Sequence, residues 1–127
     1  MALTHTTATR NVAANAVVDL IDAGTTDASG DLVYMTSGDV TVASLAMTNP
    51  AFGNAATGVA TAAAIADDTN AVGGTVALFK LQDRDNGEVL RGSVTATSGG
   101  GDIELSSVAV GAGDTVSTSS LTYTAPA

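Results

Sequence analysis

From Gly24 onward, turn-forming sequences interrupt the chain about every eight to twelve residues, and this spacing constrains the fold more than any other feature. Such spacing is typical of a sandwich or barrel of short strands joined by tight turns. The segments between the turns are rich in Val, Thr and Ala, and the whole chain has two Phe, two Tyr and no Trp. Small and β-branched side chains suit thin, closely packed sheets. We therefore predict a single domain over residues 1–127 that is mainly β, with a jelly-roll-like, two-sheet antiparallel sandwich over residues 31–124.

A Gly-Asp pair recurs at four of the turns, and each pair precedes a short strand-forming run. The pairs are Gly30-Asp31, Gly38-Asp39, Gly101-Asp102 and Gly113-Asp114. At each pair we expect the glycine to adopt a positive φ and the Asp carboxylate to accept hydrogen bonds from nearby backbone amides. These pairs are interpreted as turns and not as ligand loops.

The expected strands show one change of phase and one ambiguous region. They cover residues 32–35, 40–42, 45–48, 59–65, 75–82, 88–95, 103–105, 115–117 and 121–124. The apolar alternation changes parity between Val42 and Ala43, which predicts a β-bulge or a bend. Residues 54–70 remain open between helix and strand, because their alanines favour helix while their Thr and Val residues favour strand.

Residues 7–23 contain no Gly or Pro and predict one N-terminal α-helix. Thr6 or Thr7 is expected to cap its start and Gly24 to end it. Apolar residues at three- and four-residue spacing define its expected buried face: Val12, Ala16, Val17, Leu20 and Ile21. We expect this helix to cover an open edge or end of the sandwich, and docking to a partner is the alternative.

Thirteen acidic residues against four basic ones give a formal net charge of −9, which restricts the partners of this chain. Nucleic acid and anionic membranes are excluded as expected partners, because both require clustered Lys and Arg. With no cysteine, disulfides and thiolate metal sites are excluded as well. The N-terminus does not resemble a secretion signal and no run of residues is long and apolar enough for a membrane span, so we expect synthesis and function in the cytosol or in an assembly built there.

The inventory of catalytic groups is almost empty, so we predict that this protein is not an enzyme and has no catalytic, cofactor-binding or metal-binding residues. His5 is the only histidine and is expected to be exposed or to cap the helix. Carboxylates cluster at Asp67 and Asp68, where no role is assigned. Of the aromatic side chains, Phe79 is expected in the core, whereas Tyr34 and Tyr123 remain open between core and surface.

A second acidic cluster, Asp83, Asp85 and Glu88, surrounds Asn86-Gly87, which is a strong two-residue hairpin signal. The spacing does not match an EF-hand loop, because glycine falls at position five and not at position six. We therefore expect a hairpin tip with solvated charges, and a weak cation site is the alternative.

Five strings of the sequence resemble small head decoration, or cement, proteins of tailed bacteriophages. They are ALTHTT at 2–7, VDLIDAG at 18–24, MTSGD at 35–39, NPAFG at 49–53 and LTYTAP at 121–126. The resemblance implies a jelly-roll-like homotrimer that is made in the host cytoplasm, binds the major capsid protein on the capsid exterior and stabilises the virion. It fixes no contact residues. A carbohydrate-binding or adhesive β-sandwich module and a tail or baseplate structural protein are the alternatives.

Overall fold

The computed structural model describes residues 3–126, which form a helix followed by short strands. Helix α1 covers Thr7–Asp19 and continues into a 3-10 turn at Leu20–Asp22. The strands are β1 Asp31–Met35, β2 Thr41–Ala46, β3 Val59–Thr61, β4 Gly74–Thr75, β5 Leu78–Gln82, β6 Glu88–Ala96, β7 Ile103–Leu105, β8 Ala109–Val110 and β9 Thr122–Thr124. Met1, Ala2 and Ala127 lie outside the described residues. Both ends of the predicted domain over residues 1–127 therefore lie outside them, and so does the start of the N-terminal segment that was expected to lack a secretion signal.

The predicted helix is confirmed, and its ends follow from local chemistry. The Thr6 hydroxyl accepts a hydrogen bond from the Thr9 amide at 3.2 Å, which makes Thr6 the N-cap. At the other end the chain reaches Gly24 at φ +114°, a conformation that L side chains rarely adopt. The predicted glycine stop is therefore present, although the last turn has already tightened into the 3-10 form.

The predicted buried face of α1 is largely wrong. The residues that turn inward are Ala14, Val18 and Ile21, of which only Ile21 belonged to the expected set. Val12 is 69% exposed and Leu20 is 56% exposed.

Polar side chains explain this rotation of the helix, because they attach its inner face to the loop that precedes β3. The Asn11 side-chain oxygen accepts a hydrogen bond from Gly58 N, and that of Asn15 accepts one from Ala55 N, each at 2.8 Å. These hydrogen bonds give the two loop amides their partners and fix the helix with Ala14 and Val18 facing inward.

The strands form a curled mixed sheet, a half-barrel, so the molecule is mainly β with one N-terminal helix. The order in this main sheet is β2-β1-β5-β6-β7, and two-stranded ladders join β3 to β9 and β4 to β8. Neighbours in the main sheet are antiparallel except β6 and β7, which are parallel, so the expectation of purely antiparallel pairing is wrong at this edge. The predicted two-sheet jelly-roll sandwich is not confirmed.

A glycine-rich connection makes the parallel pair possible. Parallel neighbours usually need a crossover of about a dozen residues or more, yet only residues 97–102 separate β6 from β7. A Cβ at Gly99 would lie 2.6 Å from the Thr95 Cβ, and one at Gly101 would lie 2.9 Å from the Thr95 amide nitrogen. The chain can run back tightly against β6 only because these positions lack side chains.

The predicted phase change at Val42 and Ala43 is confirmed as a β-bulge. Opposite β1, the register passes from Ala43 directly to Thr41 and leaves Val42 without a partner. Val42 and Ala43 are 0% and 1% exposed, so both residues at the bulge are buried. The predicted strands 40–42 and 45–48 are therefore one bulged strand, β2.

Other predicted strands are altered in extent. The 75–82 strand divides, because β4 pairs with β8 while β5 pairs with β1 and β6. The 59–65 strand shortens to β3, and the ambiguous alanine run does not form a helix. In the 115–117 region the structure has one isolated bridge, from Val116 to Asp68, and no ladder among the described residues.

The Gly-Asp pairs are turns or strand entries, but the expected glycine conformation occurs at one of the four. Gly113 has φ +85°, whereas at the second pair Asp39 and not its glycine adopts the positive φ, at +66°. Gly30 is required for space instead, because a Cβ there would overlap the Gln82 carbonyl oxygen. As predicted, the carboxylates of Asp102 and Asp114 accept hydrogen bonds from backbone amides, those of Ser93 and Gly111 respectively.

Candidate functional site

The acidic hairpin tip between β5 and β6 uses its carboxylates to hold its own backbone. The Asp83 Oδ1 accepts hydrogen bonds from the amides of Asp85 at 2.9 Å and Gly87 at 2.8 Å. Asn86 adopts φ +65°, and the tip closes as a loop longer than the predicted two residues. The predicted hairpin is confirmed, and its turn is fixed by an Asp side chain as well as by Asn-Gly.

Asp85 extends this role to the loop after the helix. Its Oδ1 accepts hydrogen bonds from the amides of Thr25 and Thr26, each at 2.9 Å. These two hydrogen bonds favour the ionised carboxylate and hold the pKa of Asp85 below its ordinary value. Asp85 thus attaches the hairpin tip to the N-terminal part of the chain. Among residues 3–126 there is no group of three His, Cys, Asp or Glu side chains placed to hold a metal ion.

Glu88, Asp39 and Arg91 form an ion network on the exposed surface. The Arg91 guanidinium lies 2.7 Å from Glu88 Oε1 and 3.0 Å from Asp39 Oδ1. The hydrogen bond from Arg91 lowers the pKa of Glu88, and the two carboxylates, Glu88 first, raise the pKa of Arg91. Lys80 lies directly opposite Arg91 in the ladder between β5 and β6. Because Arg91 is paired with two acids, these two cations do not form a free basic patch.

Asp68 fastens a loop to the free side of β2. Its Oδ2 accepts a hydrogen bond from the Ser44 amide and its Oδ1 accepts one from the Asn70 amide, both at 2.9 Å. The loop donates its own backbone hydrogen bonds to β2, from Ala66 N to Ala46 O and from Val72 N to Val42 O. This edge of the main sheet is therefore covered. Asp67 is exposed beside it, and nothing in the structure assigns it a role.

The aromatic side chains are assigned mainly to the core. Phe79 is buried as predicted, and Phe52 is buried with it. Tyr34, which the sequence left open, is 0% exposed, and its hydroxyl is 2.7 Å from the Thr118 hydroxyl. Burial raises the pKa of Tyr34, an effect partly offset by the bond to Thr118. Tyr123 is half-buried, and His5 is exposed just before α1.

The opposite edge of the main sheet, β7, borders a groove that the sequence did not predict. This groove, here termed the seam, lies between β7 and residues 117–122. It holds cavities of about 430, 330 and 240 Å³, and the 430 Å³ cavity shares lining residues with each of the other two. One end is lined by Phe79, Leu90 and Tyr123, and much of the rest is lined by serine and threonine.

Both walls of the seam offer backbone groups. β7 is the last strand in the order of the main sheet, and within the described chain no strand pairs with its outer side. Across the groove, the backbones of residues 117–120 take part in no hydrogen bond with residues 3–126. The sequence signal was the hydroxyl-rich stretch at 115–122, which gives no hint of what lies opposite.

Comparisons with protein-family models, with curated proteins and with solved structures found no match to this chain. The resemblance to phage decoration proteins therefore stays a prediction. Within residues 3–126, the one α-helix is too short and too polar to cross a bilayer.

Proposed function

We propose that this protein is a structural virion protein of the decoration or cement type, which binds the outer surface of a phage capsid and stabilises it. The seam is the observation that supports this proposal best, since it presents a surface of unpaired backbone suited to binding another protein chain. The acidic groups that a reaction would need are instead engaged in holding loops, as at Asp68, Asp83 and Asp85. The proposal includes no catalytic step.

The partner in this proposal is the major capsid protein, and the location is the capsid exterior after synthesis in the host cytoplasm. A net charge of −9 supports an outward position, because packaged DNA would repel the protein. Neither nucleic acid nor a membrane is a partner.

The proposal also includes a homotrimer with a jelly-roll-like sandwich. A trimer on a symmetry axis contacts several capsid subunits, and each further contact forms at high effective concentration. Modest individual contacts then suffice for stable decoration. The ladders β3–β9 and β4–β8 are the elements that would belong to the second sheet of such a sandwich.

Sedimentation with capsids tests the proposal. The purified protein is mixed with assembled shells and with unassembled major capsid protein of the phage that encodes it. We expect it to sediment with the shells only and to raise the temperature at which they disassemble. Failure to bind assembled shells would remove the decoration role, and light scattering of the free protein tests the trimer separately.

A carbohydrate-binding or adhesive module is the alternative that the surface disfavours. Such modules present exposed aromatic rings to sugars, whereas within residues 3–126 each Phe and Tyr is buried or half-buried. A glycan array with specific binding would favour this alternative.

A role as a tail or baseplate structural protein is equally consistent with the seam, since such a protein also works by binding other chains. Electron microscopy of virions labelled on this protein distinguishes the two positions, because decoration places the label on the head.

A further inference from the structure

The two edges of the main sheet differ in a way that points to a missing strand. Residues 66–73 cover the β2 edge through backbone hydrogen bonds and the Asp68 carboxylate. The β7 edge has no such cover among the described residues. An uncovered strand edge is a template for pairing with another chain, and proteins usually protect it.

The usual protection of a short edge by a charged side chain is weakened at β7. Glu104 is the one charged residue of this strand. Its two carboxylate oxygens accept hydrogen bonds from the amides of Ser98 and Gly100, each at 3.1 Å. The charge is therefore bound to the β6–β7 connection, and Ile103 and Leu105 remain half-buried beside the groove.

The facing wall of the seam is fixed in place before anything binds. Val116 exchanges backbone hydrogen bonds with Asp68 at one end, and the Leu121 carbonyl accepts the Ala62 amide at the other. Between them, Thr118 is held by the buried Tyr34 hydroxyl. Residues 117–120, which bend at Ser119, thus keep an unpaired backbone that does not have to order on binding, and this reduces the entropy lost by the complex.

We propose that the seam accepts one extended, net basic segment of a different protein by β-strand addition. The edge of β7 offers three residues for pairing, roughly 10 Å of strand. At one end, Phe79, Leu90 and Tyr123 provide a place for one apolar side chain of that segment.

The charges that line the seam indicate that the segment bound there is basic. The lining includes the carboxylates of Asp102, Glu104 and Asp114, and its one cation, Arg91, is already paired with Glu88 and Asp39. A second copy of this chain, with a net charge of −9, is disfavoured for the same reason. The inference holds whether or not the protein decorates a capsid, since it depends on the seam alone.

A short synthetic peptide tests the proposal with the full-length protein. The probe is a seven-residue peptide of alternating valine and threonine with a lysine at each end. In NMR titrations we expect amide shifts confined to residues 103–106 and 117–122, with slower hydrogen exchange at those amides. The same peptide N-methylated at its central residues cannot form the ladder and should not bind. A version with glutamate ends should bind more weakly.

Isosteric variants of this protein test the charge argument. In Asp102→Asn and Asp114→Asn the amide oxygen still accepts the backbone bonds from Ser93 and Gly111, so the fold should persist. Each change should weaken the lysine peptide about two- to fivefold at low salt, as for a solvent-exposed ion pair. Asp67→Asn removes an exposed charge outside the seam lining and is the matched control, with no change expected.

Three results would overturn the proposal. They are equal binding of the N-methylated peptide, shift changes centred away from the seam, and self-association of the protein through these same residues without added peptide.

Discussion

The hydroxyl of Tyr34 joins the core of the molecule to one wall of the seam. Its ring is 0% exposed, and its oxygen lies 2.7 Å from the Thr118 hydroxyl. In Tyr34→Phe the ring packing is kept while the Thr118 hydroxyl loses its partner. We expect the free energy of unfolding to fall by about 1 kcal/mol and the backbone order parameters of residues 117–120 to decrease.

Urea denaturation and NMR relaxation measure the two effects of Tyr34→Phe. Tyr123→Phe is the matched control, since Tyr123 is half-buried and the structure gives its hydroxyl no hydrogen bond within residues 3–126. Unchanged order parameters at residues 117–120 in Tyr34→Phe would contradict the anchoring role.

The docking of the hairpin tip should depend on pH through Asp85. Because its pKa is lowered in the folded protein, the docking contribution is present above the ordinary value of 3.8 and is lost as the pH falls through the lower folded value. The amide resonances of Thr25 and Thr26 should therefore titrate together below pH 3.8. In Asp85→Asn this titration should vanish, and a titration above 3.8 in the native protein would contradict the interpretation.

At the scale of elements, the sequence was most informative where one strand alone determined the pattern. The bulge at Val42 and Ala43 was predictable because a change of parity is a local signal. The buried face of α1 was not predictable, because Ala and Val occur on both of its sides. Its orientation depends on Asn11 and Asn15, whose partners are amides 47 and 40 positions away along the chain, respectively.

The parallel β6–β7 pair should be sensitive to any side chain in its connection. In Gly99→Ala the new Cβ would meet Thr95 at 2.6 Å, so we expect destabilisation of about 1–3 kcal/mol, as for an overpacked site. Gly38→Ala is the matched control, since the nearest atom to its Cβ would be 3.9 Å away and its φ is not positive. Thermal or urea unfolding measures both variants. Equal stability of the two would show that the connection is looser than described.

At the scale of the whole molecule, the mainly β class and the N-terminal helix followed from glycine spacing and helical periodicity, whereas the seam did not. Its two walls, β7 and residues 117–122, become neighbours only through the parallel register of β7 and the bridge from Val116 to Asp68. Such pairings link distant parts of the chain, and no local pattern specifies them. The acidic clusters were visible in the sequence, but their roles as amide acceptors depended on the same distant contacts.

The excess of acidic groups gives a prediction for the whole chain. Thirteen acidic residues against four basic ones repel one another in the compact state, while the Arg91 network is exposed and contributes little in return. Raising NaCl from about 0.01 M to about 0.15 M shortens the screening distance from roughly 30 Å to roughly 8 Å. Because repulsion is the larger effect, calorimetry should show a melting temperature that increases with salt, and Arg91→Gln should make the increase steeper. The protein concentration is kept the same at every salt concentration, so that the effect of screening is separated from that of association. A melting temperature that decreases with salt would mean that the Arg91, Asp39 and Glu88 pairs outweigh the repulsion, and the acidic surface would then be a source of stability in its own right.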